Sequence, residues 1–398
     1  MTYRDHPHTQ SRPPPLIDLI PDNRYDLDVS DEEDSFYGRD DDFLINPKWQ
    51  AAVTRTTDRI PRRIKRYSLV YLAIAFIGLV SWWTYFGPRH AAYKQELRDM
   101  DNTPAMSYGN NMRPEFKDMI QVRDMDEQHL PKKHSRLVFV GDVHGCREEL
   151  EDLLKKVDFD HKHDHLVLTG DMIAKGPDSP GVIQLAQKLG ASCVRGNWED
   201  KLLLSIAEAE SPHPKKSSSD SDIAVTPDFH DSTALSHGDP KLRRLAKKFH
   251  KRDISYLRQC PVILRVGHVP NLGTLVAVHA GLVPDVPLER QDPFHAMNMR
   301  TIDLKTRIPS SKHDGALPTL TPWERFWNHR QEKLPERERT TVVYGHNRKR
   351  GLNIQKYTKG LDTGCVSGGR LTALVVDKKG EIELVHVDCR REKGYDED

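Results

Sequence analysis

The chain has 398 residues, 37% of them hydrophobic and 30% charged, enough for one large domain with appendages. Its formal net charge of +1 excludes the general basic excess of a nucleic-acid binder, so no nucleic-acid partner is expected and any affinity for anions must come from local clusters. Cys146, Cys193, Cys260, Cys365 and Cys389 lie far apart with no C-x-x-C pair; neither a zinc ribbon nor a disulfide framework is indicated, and their redox state stays open.

Residues 1–60 combine Pro13-Pro14-Pro15 with the acidic runs Asp31-Glu32-Glu33-Asp34 and Asp40-Asp41-Asp42. Apolar residues are too few there to bury a core, so a disordered cytosolic tail is expected. Within it, Asp40-Asp41-Asp42-Phe43-Leu44-Ile45 fits an acidic dileucine pattern, which resembles signals read by sorting adaptors for delivery to lysosome-like vacuoles. Residues 67–86, YSLVYLAIAFIGLVSWWTYF, carry no charge and are long enough for a helix crossing about 30 Å of hydrocarbon. Arg62, Arg63, Lys65 and Arg66 precede this stretch directly, which puts the N terminus in the cytosol and everything after Gly87 in a lumen or outside. The apolar run begins too late and is too long for a cleaved signal peptide, so a single-pass type II signal anchor in the membrane is expected.

Residues 87–133 read as a polar juxtamembrane linker, and the folded domain is expected over 134–390. There RLVFVGDVHG reads as a buried strand entering a Gly-bounded loop. Helical spacing follows at 148–157, a strand at 165–173, a helix at 181–190 and a strand at 191–197. Later strands are expected at 261–267, 274–282 and 340–347, with a hairpin over 371–388. This alternation is an α/β pattern. The polar stretch from about 210 to 239 reads as a mobile insertion.

Five short blocks occur at strand ends: GDVHG (141–145), GDMIAKGP (170–177), GNWE (196–199), VHAG (278–281) and YGHN (344–347). Loops at the carboxyl ends of several strands can converge, and Asp, His and Asn supply the O and N donors suited to Zn, Mn or Fe pairs. A single block has a plain structural reading, an Asp in a turn or a His bonded to backbone. Five in order point to a dinuclear metal site.

These blocks, with GLDTGCVSGGRLTAL (360–374), resemble the calcineurin-like metallophosphoesterases of the phosphoprotein phosphatase superfamily, and within it the symmetrical dinucleoside tetraphosphate hydrolases. The resemblance covers about residues 136–389 and implies a four-layer αββα sandwich, here preceded by a single transmembrane helix. It implies Asp142 and His144 as ligands of a first metal, Asp171 as the bridging carboxylate, and Asn197, His279 and His346 as ligands of a second. Zinc is the expected ion, with Mn, Co, Fe and Mg as alternatives. Lys175 stands where many relatives have Arg and can still meet a phosphate as a point charge. Arg300, in AMNMRT, resembles a second phosphate-contacting Arg, with an ordinary surface ion pair as the alternative. Asp171, Asn197, Lys175 and Arg300 are thus the expected catalytic set.

Two positions depart from the protein phosphatases of this superfamily. Their second block carries an Asp that supports the His of G-N-H-E, which protonates the leaving group; the corresponding residues here are Ala174 and Trp198. An indole has no titrating proton at accessible pH, so Trp198 cannot act as a general acid. A serine alkoxide leaves poorly without a proton, whereas a phosphoanhydride releases a phosphate whose second pKa is about 6. The substitution favours anhydrides. Substrate contacts are expected at Lys175, Arg300, Arg348, Lys349 and Arg350, and at Trp198, which either stacks on a base or packs over the site. The basic segment KLRRLAKKFHKR (241–252) offers an apolar stripe for the core and a charged face that is either solvated or guides a polyanion.

An N-terminal anchor joined to this catalytic type is similar to the fungal vacuolar zinc-dependent endopolyphosphatases. The expectation is therefore hydrolysis of internal anhydride bonds of inorganic polyphosphate in a vacuolar lumen, by a water activated between two divalent ions. A dinucleoside polyphosphate hydrolase, a serine/threonine protein phosphatase and a non-catalytic polyphosphate-binding pseudophosphatase are the alternatives.

Overall fold

The computed structural model describes residues 61–105, 119–210 and 240–391. The acidic tail with its dileucine pattern and the insertion after Glu210 lie outside the described residues. The chain divides into two compact units, residues 1–89 and 90–398.

In the first unit α1 (Arg62–Ser81) is followed by a π-helical turn at Trp82–Phe86. Leu69, Leu72, Phe76, Leu79 and Trp83 are each more than half exposed, although they are among the most apolar residues of the chain. A helix that is apolar on every side and exposed on every side suits a hydrocarbon surround, and this one is long enough to cross a membrane.

The helix α2 (Gly87–Asn102) leads into the second unit. Met100 is buried in a core cluster with Leu97 packed beside it. Glu96 accepts hydrogen bonds from Thr321 (3.0 Å) and Arg325 (2.6 Å), while Asp101 pairs with His329 (2.6 Å) and Lys333. A strand, β1 (Val122–Asp124), follows. The expected linker over 87–133 thus contributes a docked helix and a strand to the fold. Its apolar contacts are too sparse to stand out as an amphipathic period, and its helix is held by Met100 in the core and by polar contacts to residues 321–333.

Next come β2 (Leu137–Val140), α3 (Arg147–Lys156), β3 (His165–Leu168), α4 (Ser179–Lys188), β4 (Ser192–Cys193) and α5 (Asn197–Glu210). After the undescribed segment run α6 (Pro240–Ala246), α7 (Lys251–Gln259), β5 (Ile263–Val269), β6 (Gly273–Val278) and α8 (Pro293–Asn298). The chain continues through β7 (Thr301–Asp303), β8 (Pro309–Ser310), β9 (Leu320–Pro322), α9 (Trp323–Lys333) and β10 (Thr340–Tyr344). It closes with β11 (Asn353–Ile354), β12 (Thr358–Gly360), β13 (Arg370–Val376) and β14 (Ile382–Asp388).

Two mixed sheets result, in the orders β1-β5-β6-β10-β12-β11 and β14-β13-β2-β3-β4, with a small β8-β7-β9 sheet beside them. Strand alternation explains how they pack. Leu137 and Phe139 of β2, Leu275 and Ala277 of β6, Val343 of β10 and Leu374 and Val376 of β13 share one core between the two sheets. Their neighbours Val138, Val140, Ala373 and Val375 face outward to Leu150, Leu153, Val182, Ile183 and Leu202 of α3, α4 and α5. On the other side Val276, Val278 and Val342 meet Met297, Trp323 and Phe326 of α8 and α9. The layers are helix, sheet, sheet, helix.

Strands β2, β3 and β4 are parallel, with α3 and α4 as crossovers, so the loops leaving these strands lie along one edge of their sheet. The hairpin expected over 371–388 is β13 paired antiparallel with β14. In the basic segment Leu242 is buried, Phe249 enters the core and Leu245 packs against it, while the Lys and Arg residues between them are exposed.

Two disulfides tie elements that the cysteine spacing does not connect. Cys193 of β4 joins Cys260 just after α7, and Cys365 joins Cys389 at the end of β14. The partners stand 67 and 24 residues apart, and only the folded topology brings them together.

Candidate metal centre

Each of the five blocks sits where a strand ends. Asp142 and His144 follow β2, Asp171 to Lys175 follow β3, and Asn197 opens α5 after β4. From the other sheet, His279 follows β6 and His346 follows β10. Where a strand is expected to run to Asn197, the chain instead turns after Cys193 and starts a helix at Asn197. Ligand atoms of Asp142, His144 and Asp171 all lie within 4.8 Å of one another. Asp171 bridges outward from this group: Oδ2 is 3.5 Å from His144 Nε2, and Oδ1 is 3.4 Å from His279 Nε2. His279 Nε2 is in turn 3.0 Å from Asn197 Oδ1. The backbone N–H of His346 donates to Asp142 Oδ1 at 3.0 Å, and the rings of His279 and His346 are 5.0 Å apart.

Main-chain carbonyls orient the imidazoles. His144 Nδ1 lies 3.1 Å from the Ile173 carbonyl, His279 Nδ1 lies 2.9 Å from that of Thr169, and His346 Nε2 lies 3.1 Å from that of Asn298. A ring N–H donated to the carbonyl leaves the second nitrogen of His144 and of His346 as an acceptor. The Asn197 amide stands between the Asp171 carboxylate and His279 Nε2, and with its NH2 turned toward them it donates at 3.0 to 3.2 Å. Carboxylate, imidazole and amide side chains thus converge in a buried cluster rich in O and N ligand atoms, an arrangement suited to a cation. The donor set fits borderline divalent ions such as zinc, manganese or iron.

Electrostatics agree with that requirement. Burial, helped by Lys175, drives His144 down to about 3, and burial with Arg300 and His279 holds His346 well below the ordinary range; both rings are neutral acceptors. Burial opposes a charge on His279 too, but Asp171 and Asp142 outweigh it and raise the ring to about 10. A proton there supplies positive charge that the carboxylates demand. Burial also pushes Asp142 well above the usual carboxylate range, with Asp362 adding repulsion, whereas His279, His144 and Lys175 hold Asp171 below it despite burial.

The backbone is bent to deliver these groups. His144 (φ 47°), Asp171 (φ 49°), Ala174 (φ 69°), Lys175 (φ 65°) and His346 (φ 66°) all occupy the left-handed region, which side-chain-bearing residues seldom adopt. Glu199 holds part of this together. Fully buried, it accepts from the N–H groups of Asp171 (2.8 Å), Met172 (2.8 Å), Ile173 (3.2 Å) and Gly196 (2.8 Å). Burial and Asp171 raise its carboxyl to about 7. A Cβ at Gly196 would collide with the Asp171 carboxylate, and one at Gly345 with that of Asp142, so both positions need glycine for close approach.

The other expected contacts divide. Lys175 Nζ lies 2.9 Å from His144 Nε2 and 5.1 Å from the Trp198 ring centroid. Trp198 donates its backbone N–H to Asp171 Oδ1 (3.1 Å), and its half-buried indole packs on the core, edge-on to His144 at 6.3 Å. Arg300 stands near enough to His346 to depress it, and its Nη1 donates to the Ser311 carbonyl at 2.9 Å. Arg348 donates to Ser367 Oγ (2.5 Å) and Lys349 is exposed. Arg350 differs from them: it pairs with buried Glu324 (2.8 Å) and with Asp314 (2.9 Å), a commitment to structure. Glu199, Asp362 and Lys201 were not singled out in the sequence, although GNWE and GLDTG contain two of them. A buried acid four bonds deep in backbone amides becomes visible only once the two loops meet.

The sequence profile of the calcineurin-like phosphoesterases matches residues 135–358, and the chain belongs to that family. It is a metallophosphoesterase. A zinc-dependent endopolyphosphatase of Saccharomyces cerevisiae is 28% identical over 284 residues, covering 66% of this chain and 83% of that protein. A symmetrical bis(5'-nucleosyl)-tetraphosphatase of Shewanella baltica is 30% identical over 274 residues, covering 61% and 96%. Among solved structures, a candidate diadenosine tetraphosphatase superposes with a TM-score of 0.50 at 33% identity, over 68% of this chain and 99% of that one.

Proposed function

We propose that the chain is a membrane-anchored hydrolase of inorganic polyphosphate, cleaving its internal phosphoanhydride bonds with Asp142, His144, Asp171, Asn197, His279 and His346 holding two divalent ions. The observation that carries this reading is Trp198: it stands beside a full set of ligand residues, in the place where a proton donor would serve an alkoxide leaving group. Bound divalent ions supply Lewis acidity and water activation at such a site. The chain's own groups do the rest. Lys175 and Arg300 compensate phosphate charge on either side of the ligand cluster, and the carbonyls of Ile173, Thr169 and Asn298 keep the imidazoles in their acceptor tautomers. With Trp198 where the protein phosphatases have a proton-donating His, a leaving group that is already a stable anion is favoured.

The relatives' names support an anhydride substrate, since one is a polyphosphatase and the other a dinucleoside tetraphosphatase. Zinc is favoured by the imidazole-rich donor set and by the zinc dependence named for the yeast relative. Two disulfides fit an oxidising compartment, which supports a lumenal catalytic unit behind a signal anchor at 67–86. The dileucine pattern supports delivery to a vacuole. The catalytic unit is proposed to begin near residue 90, ahead of the expected boundary at 134.

The test uses the full chain in detergent micelles with Zn, Co, Mn or Mg in turn. Long-chain polyphosphate should shorten on a gel, and Asp171→Asn should slow this on the order of a hundredfold or more. Faster hydrolysis of a phosphopeptide would overturn the reading, and faster release of adenine nucleotides from a dinucleoside polyphosphate would move the substrate to that class.

A further inference from the structure

Two ammonium groups stand near the indole of Trp198, and only one of them belongs to a recognised block. Lys175 Nζ and Lys201 Nζ each stand 5.1 Å from the centroid of the indole. Lys201 is on α5, four residues beyond Asn197, so the two side chains leave the same face of the helix. A helical side chain leans toward the N-terminus, and here that end is the one where the Trp198 N–H meets Asp171. Lys175 marks the other end of the arrangement, with its ammonium 2.9 Å from the inward nitrogen of His144.

We propose that Lys201, with Lys175 and the indole of Trp198, forms a second phosphoryl subsite that receives the departing phosphate of an anhydride. The proposal rests on the phosphoanhydride reading above. An indole attracts each ammonium and restrains its position, and a phosphoryl group reaching both ammoniums gains a charge-assisted contact to each. Trp198 thereby holds fixed cations where a protein phosphatase would present an acid.

The chemistry balances without a proton donor. Water adds to one phosphorus, the bridging P–O bond breaks, and its electron pair stays on the departing phosphate. The protons of the water are shared between the product phosphates and solvent. Negative charge grows on the bridging oxygen, and a preorganised ammonium lowers the energy of that charge most when it develops beside it. A departing phosphate with further phosphates attached gains more than orthophosphate does, so the subsite selects chains over monoesters.

The full chain in detergent micelles, with metal in excess and p-nitrophenyl phosphate as reporter, separates the possibilities through two inhibitors. Orthophosphate fills one phosphoryl position; imidodiphosphate, whose bridging nitrogen resists hydrolysis, fills two. Lys201→Met should weaken imidodiphosphate inhibition about tenfold and leave orthophosphate inhibition within about twofold, the size expected for one charge-assisted contact. Lys201→Arg should restore most of the difference. Equal weakening of both inhibitors would mark Lys201 as structural and overturn the proposal, as would no change in either. If the wild type hydrolyses phosphopeptides and leaves polyphosphate intact, the phosphoanhydride reading fails on its own, while the inhibitor ratio still judges Lys201.

Discussion

Glu199 joins two ligand loops through a single carboxylate. One oxygen takes the N–H groups of Asp171 and Gly196, and the other those of Met172 and Ile173, so the turn after β3 and the start of α5 share one buried acceptor. That turn contains the left-handed Asp171, Ala174 and Lys175, which would relax without such a hold. In Glu199→Gln an amide NH2 replaces one oxygen and faces N–H groups. The variant should lose about 1–3 kcal/mol of stability and bind zinc about 10- to 100-fold more weakly, read from thermal melting and from chelator competition. The candidate ligand residues stood out in the sequence, because Asp, His and Asn in short Gly-bounded blocks announce their chemistry. Glu199 was not, since its role depends on amides from a loop 26 to 28 residues away.

At the scale of elements, β4 is only two residues long, too short to hold its own exit by sheet pairing alone. Two bonds to the chain after α7 supplement it: the Cys193–Cys260 disulfide, and the Arg195 N–H donated to the Pro261 carbonyl at 2.7 Å. Both flank the turn that delivers Asn197. Replacing Cys193 and Cys260 together by Ser should lower unfolding free energy by about 2–5 kcal/mol, measured by denaturant titration; an unchanged midpoint would show that the bridge does not restrain the unfolded chain. Strands β2, β3, β6, β10 and β13 were readable as apolar runs because each is buried on both faces. Helix α2 and strand β1 were not. Their hold comes from Glu96 and Asp101 reaching β9 and α9 and from three residues pairing with β5, none of which leaves a local period in the sequence.

At the scale of the whole molecule, the sequence divides charge and apolarity sharply along the chain. An acidic tail, a cationic flank and an uncharged helix precede a unit rich in strands, and this order alone suggested a type II protein. Protease added to the cytosolic face of sealed vesicles should trim the tail and leave a fragment containing residues 90–398 intact. Digestion of that fragment without detergent would reverse the orientation.

The convergence of candidate ligand side chains around Asp171 has a thermodynamic consequence as well as a chemical one. Asp142, His144 and Asp171 come from separate loops that only the folded chain brings within 4.8 Å, so a cation held there binds the native state in preference to the unfolded one. Binding of that kind is linked to folding: a cation at a hundred times its dissociation constant adds about 2.7 kcal/mol. The domain's resistance to unfolding therefore tracks the free metal of its compartment, and metal scarcity weakens the protein itself before any substrate is involved.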